Sequence, residues 1–153
     1  IGFLYCSSEQ NSYFQIDIAK KVCDELGIEY VDATVSNTNE VQQVTQNLVG
    51  KVDAIYAPTD NMIASSMATV AMVTIPAKLP VICGEEGMTM AGGLATYGIN
   101  YYELGKQTAK QAVKILNGEA EPATMPIEYL ETCSLTVNED MAQKLGITIP
   151  DNL

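Results

Sequence analysis

Three short polar clusters hold most of the residues here that could do chemistry: Ser7-Ser8-Glu9-Gln10-Asn11-Ser12, Thr59-Asp60-Asn61 and Gly84-Glu85-Glu86-Gly87. Each directly follows an apolar run, at 1–6, 52–58 and 79–83. In open α/β sheets, ligands bind in the crevice at the carboxyl ends of the strands. The first two clusters also open helical patterns, whose first-turn N–H groups lack partners and favour an anion. Glu9, Asp60, Glu85 and Glu86 favour a cation. Bare N–H groups beside carboxylates suit a zwitterion, such as a free amino acid. Ser and Asn at helix starts are also ordinary N-caps, so Asn11, Ser12 and Asn61 read equally as caps or as ligand contacts. Asp60, after Pro58-Thr59, can cap a helix while facing a ligand. One of Glu85 and Glu86 is expected in the site and the other as a solvated loop acid. Met62, Met67 and Met72 stand at near-helical spacing and read as core filling. Tyr101-Tyr102 either stack on a ligand or pack at a hinge.

Missing residue types narrow the chemistry. With no His and no Trp among 153 residues, Ser-His-Asp and Cys-His catalysis are excluded, together with the usual zinc ligand sets. There is no P-loop and no GxGxxG after the first strand. Cys6-Ser7-Ser8 stands where a Mg²⁺-binding phospho-acceptor domain would carry an acidic pair. The acids lack a base, nucleophile or metal constellation, so the sequence predicts a binding site without cofactor or metal, not an enzyme. A net charge of −11 disfavours nucleic acid and anionic membranes. The four cysteines, Cys6, Cys23, Cys83 and Cys133, have no metal-ligand spacing. They read as free thiols, with a Cys6–Cys83 disulfide open because both end strands. No apolar run reaches the ~18 residues of a membrane span.

The elements that must position these clusters alternate short apolar runs with helical periodicity, which argues for βα units around a parallel sheet. Strands are expected at 1–6, 28–35, 52–58, 79–83, 93–99, 127–130 and 135–137. A first helix runs to about Leu26, with Ile16, Ala19, Val22, Cys23 and Leu26 as its stripe and Gly27 as its stop. A second carries Val41, Val44, Thr45 and Leu48; a third runs from Met62 to about Thr74. A long helix over 101–117 ends at Gly118. A last one is capped by Asn138 and stopped by Gly146. Starting in mid-strand without Met, the chain reads as a piece cut from a longer protein.

Cys-Ser-Ser-Glu-Gln-Asn-Ser at 6–12, Val-Asp-Ala-Ile-Tyr-Ala-Pro-Thr-Asp-Asn at 52–61 and Gly-Gly-Leu-Ala-Thr-Tyr-Gly-Ile-Asn-Tyr-Tyr-Glu-Leu-Gly at 92–105 resemble the ABC-transporter substrate-binding family of the tryptophan/phenylalanine-binding kind. The similarity runs over essentially the whole chain. It implies a type I periplasmic-binding fold, with two Rossmann-like lobes clamping a ligand across three hinge crossings. Residues 1–99 and 132–153 would form the second lobe, a parallel sheet with helices on both faces. Residues 100–131 would be hinge plus a helix and strand belonging to the first lobe. Mapped by motif, Ser8, Glu9, Asn11, Ser12, Thr59, Asp60 and Asn61 would line this lobe's half of the cleft, with Glu85 beside them and Asn100 at the hinge. The implied ligand is an aromatic amino acid such as Trp or Phe, and the implied partner an ABC permease at an extracytoplasmic lipoprotein receptor. The rival reading is the sensory domain of a transcription regulator with the same lobes. Without its other lobe, the stripe of the 101–117 helix is expected either to pair with the same segment of a second copy, the favoured outcome, or to fold back over its own domain.

Overall fold

In the computed structural model, which describes residues 1–152, six strands form one sheet: β1 Gly2–Cys6, β2 Val31–Val35, β3 Ile55–Ala57, β4 Val81–Cys83, β5 Ala95–Gly98 and β6 Ser134–Val137. Their order is β2-β1-β3-β4-β5-β6. The first five run parallel, and β6 pairs antiparallel with β5, Tyr97 opposite Leu135. The fold is α/β, with a mostly parallel sheet and helices on both faces.

Side chains alternate across the pleat and so sort the core into two faces. Leu4, Cys6, Ala33, Val35, Ile55, Ala57, Val81 and Cys83 point to one face. Four helices lie against it: α2 Val41–Gln46, α3 Asn61–Ser65, α4 Met67–Thr74 and α5 Glu86–Gly92. Phe3, Tyr5 and Tyr56 point to the other face, where Ile16 and Cys23 of α1 Gln10–Leu26 meet them. Gly27, at φ 68°, adopts the left-handed turn that ends α1 as expected. Two positions of the expected stripe do not bury: Val22 is exposed and Leu26 is 67% exposed.

The expected 62–74 helix is two pieces, α3 Asn61–Ser65 and α4, separated at Ser66, whose φ of −112° and ψ of 8° leave the helical region. Met67 is buried in the core and Met62 packs at its edge, but Met72 is 64% exposed, so the sulfur stripe is only partly core. No strand forms over 127–130. Ile127 and Tyr129 stand exposed and the segment pairs with none of the six strands, so it has no ladder to join. The helices α6 Tyr101–Leu116 and α7 Glu139–Leu145 match expectation, with Asn138 accepting from the Met141 N–H. Cys6 and Cys83 are both buried free thiols, so the disulfide left open between them is not made. Burial pushes the Cys83 thiol up to about 12, which keeps it protonated and inert.

Candidate functional site

The expected polar clusters meet at the carboxyl edge of the sheet, where α1, α3, α5 and α6 all begin. β3 and β4 are drawn together by close backbone contact. A Cβ on Gly84 would lie 2.4 Å from the Thr59 nitrogen, so only glycine lets the two loops nest.

Asp60 lies at the centre of this edge and is 1% exposed. Its Oδ1 accepts from the Ile63 N–H at 2.9 Å, capping α3. Its Oδ2 accepts from the Cys6 N–H at 2.7 Å and from the Ser12 hydroxyl at 2.7 Å. One carboxylate thereby ties β1, α1 and α3 together, and its lone pairs face protein donors rather than the crevice. Ser12 is fully buried inside α1, so it is a tie and not the helix cap that its sequence position allowed. Asn11 is also within α1; its Nδ2 donates to the Thr59 carbonyl at 2.8 Å. The Thr59 N–H donates to Gln15 Oε1 at 2.9 Å, a contact to a residue that the polar clusters did not include. The local signal for Gln15 was only a polar residue one turn beyond Asn11 on α1.

Glu9 stands at the rim, half-buried, immediately before α1. Its carboxylate reaches sideways to α3. Oε2 accepts from the Asn61 N–H at 3.2 Å and Asn61 Nδ2 at 3.1 Å, and Oε1 from the Met62 N–H at 3.2 Å. Ser8 is exposed, its Oγ 3.1 Å from Cys6 Sγ. Glu85 is buried and caps α5, an element the sequence reading did not anticipate; it accepts from the Gly87 N–H at 2.7 Å and from the Met88 N–H. Glu86 stays exposed, and its Oε2 accepts from Asn100 Nδ2 at 3.4 Å. Asn100 itself caps α6, accepting from the Tyr102 and Glu103 N–H groups at 3.0 and 3.2 Å. Burial, aided by the Glu85 charge, raises the Tyr101 hydroxyl above its usual value.

The expectation of bare N–H groups, made for the helices opened by the first two clusters, holds at α1 and fails at α3. The starts of α3, α5 and α6 are already occupied by Asp60 with Glu9, by Glu85 and by Asn100. Of the four helices that begin beside the polar clusters, α1 alone has no side chain on its first-turn N–H groups. Sequence supplies no cation there: all eight basic residues are lysines, and none lies in the three clusters. Among the described residues, no group of His, Cys, Asp or Glu is arranged to hold a metal.

An open helix start beside a carboxylate can hold a small zwitterion, and the chain is similar to proteins described as binding small molecules. A tyrosine-binding protein from Clostridioides difficile is 37% identical over 96% of this chain and 42% of its own length. A ligand-free, open substrate-binding protein with adhesive properties from Clostridium difficile is 42% identical, with TM-score 0.78. An ABC domain in complex with L-Trp from Streptococcus pneumonia is 38% identical, with TM-score 0.90; both structures are matched over 99% of this chain and 51% of their own. The chain thus spans about half the length of these relatives. The likeness to a LacI family transcriptional regulator from Bifidobacterium animalis, 19% identical with TM-score 0.58, shows the fold alone. The family model for the ABC transporter substrate binding protein matches residues 1–153, and the chain belongs to that family.

Proposed function

We propose that this chain is one lobe, with a crossing arm, of a two-lobed receptor that captures an aromatic amino acid and delivers it to an ABC permease outside the cytoplasmic membrane. The observation that carries this reading is the rim itself. The α1 start has unoccupied N–H groups, flanked by the exposed Ser8 and by the Glu9 carboxylate. The amino acid's carboxylate would take the α1 N–H groups and the Ser8 hydroxyl, and its ammonium would take Glu9, with Asn61 and Asn11 bordering it. Asp60, Ser12, Thr59 and Glu85 stand behind as the scaffold that fixes these groups. The names of two relatives, tyrosine-binding and in complex with L-Trp, favour an aromatic side chain.

The division of the chain follows the earlier expectation, with 1–99 and 132–153 in one lobe and 100–131 crossing to the other. Two observations support it. No residue of α6 is buried, so the arm has no core of its own within this chain. The chain also superposes better on the L-Trp complex than on the ligand-free open protein, although it is less identical to the former. That pattern fits two bodies whose relative angle differs between those structures.

A ligand clamped between two lobes has 70–90% of its surface covered. One lobe offers about half of those contacts. Calorimetric titration with L-Tyr, L-Trp and L-Phe should therefore give about micromolar affinity or better for the full-length protein, and about millimolar or weaker for residues 1–153 alone. Equal affinity for the two would overturn the two-lobed reading.

A further inference from the structure

Residues 84–86 and 98–100 run side by side, and the arm leaves the lobe from the second segment. A Cβ on Gly98 would lie 2.5 Å from the Gly84 carbonyl oxygen, so the two backbones approach too closely for a side chain there. Glu85 and Ile99 form an isolated parallel bridge. One step further, Asn100 Nδ2 donates to Glu86 Oε2 at 3.4 Å. Local structure fixes the roles in this third contact. Asn100 Oδ1 accepts from the Tyr102 and Glu103 N–H groups, which leaves its amide nitrogen for α5. Glu85 already caps α5, which leaves the exposed Glu86 carboxylate free to reach outward. Beyond Asn100 no such contact follows. Among the described residues, the side-chain hydrogen bonds and ion pairs of 101–131 all stay within 100–131. The Glu86–Asn100 link is therefore the last side-chain tie between lobe and arm.

We propose that Glu86 is a positioning residue for ligand capture: through Asn100 it holds the arm, and the lobe that the arm reaches, at the angle that clamps the ligand. The inference rests on the two-lobed reading. This chain matches the L-Trp complex at TM-score 0.90 and the ligand-free open protein at 0.78, so the link stands in an arrangement nearer the former. At 3.4 Å it is longer than a relaxed hydrogen bond, and a small turn of the arm makes or breaks it. A tie made in one arrangement and broken in the other raises the population of the first, and apparent affinity follows the competent fraction. Glu86 thereby strengthens binding without touching the ligand, and by the same factor for every ligand the closed form accepts.

The test is calorimetry on the full-length protein with L-Trp and with indole-3-propionate, which lacks the ammonium. Asn100→Asp keeps an acceptor for the α6 cap and sets a second carboxylate against Glu86. It should weaken both ligands equally, by about three- to tenfold. Adding Glu86→Gln to that variant exchanges donor and acceptor across the same contact, and should return both affinities to within about twofold of wild type. Glu86→Ala, tested alone in case Asn100→Asp does not fold, should weaken both ligands by about two- to threefold. A loss confined to L-Trp would make Glu86 a contact to the ammonium; no loss, or no recovery in the paired variant, would make the link inert. Each of these overturns the proposal and leaves the receptor reading standing. Wild-type protein that binds none of L-Tyr, L-Trp and L-Phe overturns the receptor reading, and this inference with it.

Discussion

Residues 2–98 and the arm over 101–131 both carry apolar stripes, yet they stand on different physical terms. In the first, Leu4, Ile55, Ile63 and Val70 are fully buried, and each such side chain contributes roughly 1.5–3 kcal/mol by leaving water. In the arm, α6 presents Leu104, Thr108, Ala112 and Ile115 along one side without burying any of them. What holds it is exposed and lies within the arm: the Asn100 cap, Glu103 in its first turn and Lys114 in its last, the Lys106–Glu103 pair, and Gln107 Nε2 donating to Glu128 and to the Tyr129 carbonyl. An amphipathic stripe therefore specifies that a helix will form when packed, and says nothing of what it packs on. Helices of this length are marginal alone.

The comparison can be broken first by cavity formation. Leu4→Ala in residues 1–153 should cost about 2–5 kcal/mol in urea unfolding. Leu116→Ala, in the exposed last turn of α6, should change stability by no more than about 0.5 kcal/mol. A loss above 1 kcal/mol there would mean that the arm packs within this chain. Next in size is the Asp60 tie. Asp60→Ala removes three buried hydrogen bonds to one charge and should cost about 3 kcal/mol. A double-mutant cycle with Ser12→Ala should show coupling of about 1 kcal/mol. Additive losses would argue that the Ser12 bond contributes nothing. Smallest is the contrast between two caps of the same residue type. Asn138→Ala, which also breaks a bond to the Thr89 carbonyl, should lower the cooperative unfolding midpoint by about 1 kcal/mol. Asn100→Ala should speed amide exchange in α6 and leave that midpoint in place. A common shift in both variants would join arm and body into one folding unit.

Much of this fold was legible because its signals are local. Gly27 and Gly146 end helices where the apolar period stops, and Asn138 starts one. The rim was legible for the same reason, since its loops follow strands. What the sequence could not disclose is where a side chain's partners lie. Asp60 and Glu85 read as ligand acids because nothing nearby shows that Cys6, 54 positions upstream, aims its N–H at Asp60. The helix α5 went unseen because Gly87 and Gly92 bracket it, and glycine within so short a run argues for a loop. The 127–130 segment has strand composition but pairs with none of the six strands, a tertiary fact. Glu9 was expected to line the cleft; it stands at the carboxyl edge of the sheet, and its reach to α3 was not foreseen.

The central claim is that Glu9, beside the open start of α1, receives the ammonium of an aromatic amino acid. The most direct measurement is calorimetry on full-length protein carrying Glu9→Gln, with L-Trp and with indole-3-propionate, which keeps the ring and carboxylate and lacks the ammonium. The expected result is at least a tenfold loss for L-Trp, about 1.4 kcal/mol, and little change for the propionate. Unchanged L-Trp affinity, or an equal loss for both ligands, would contradict it.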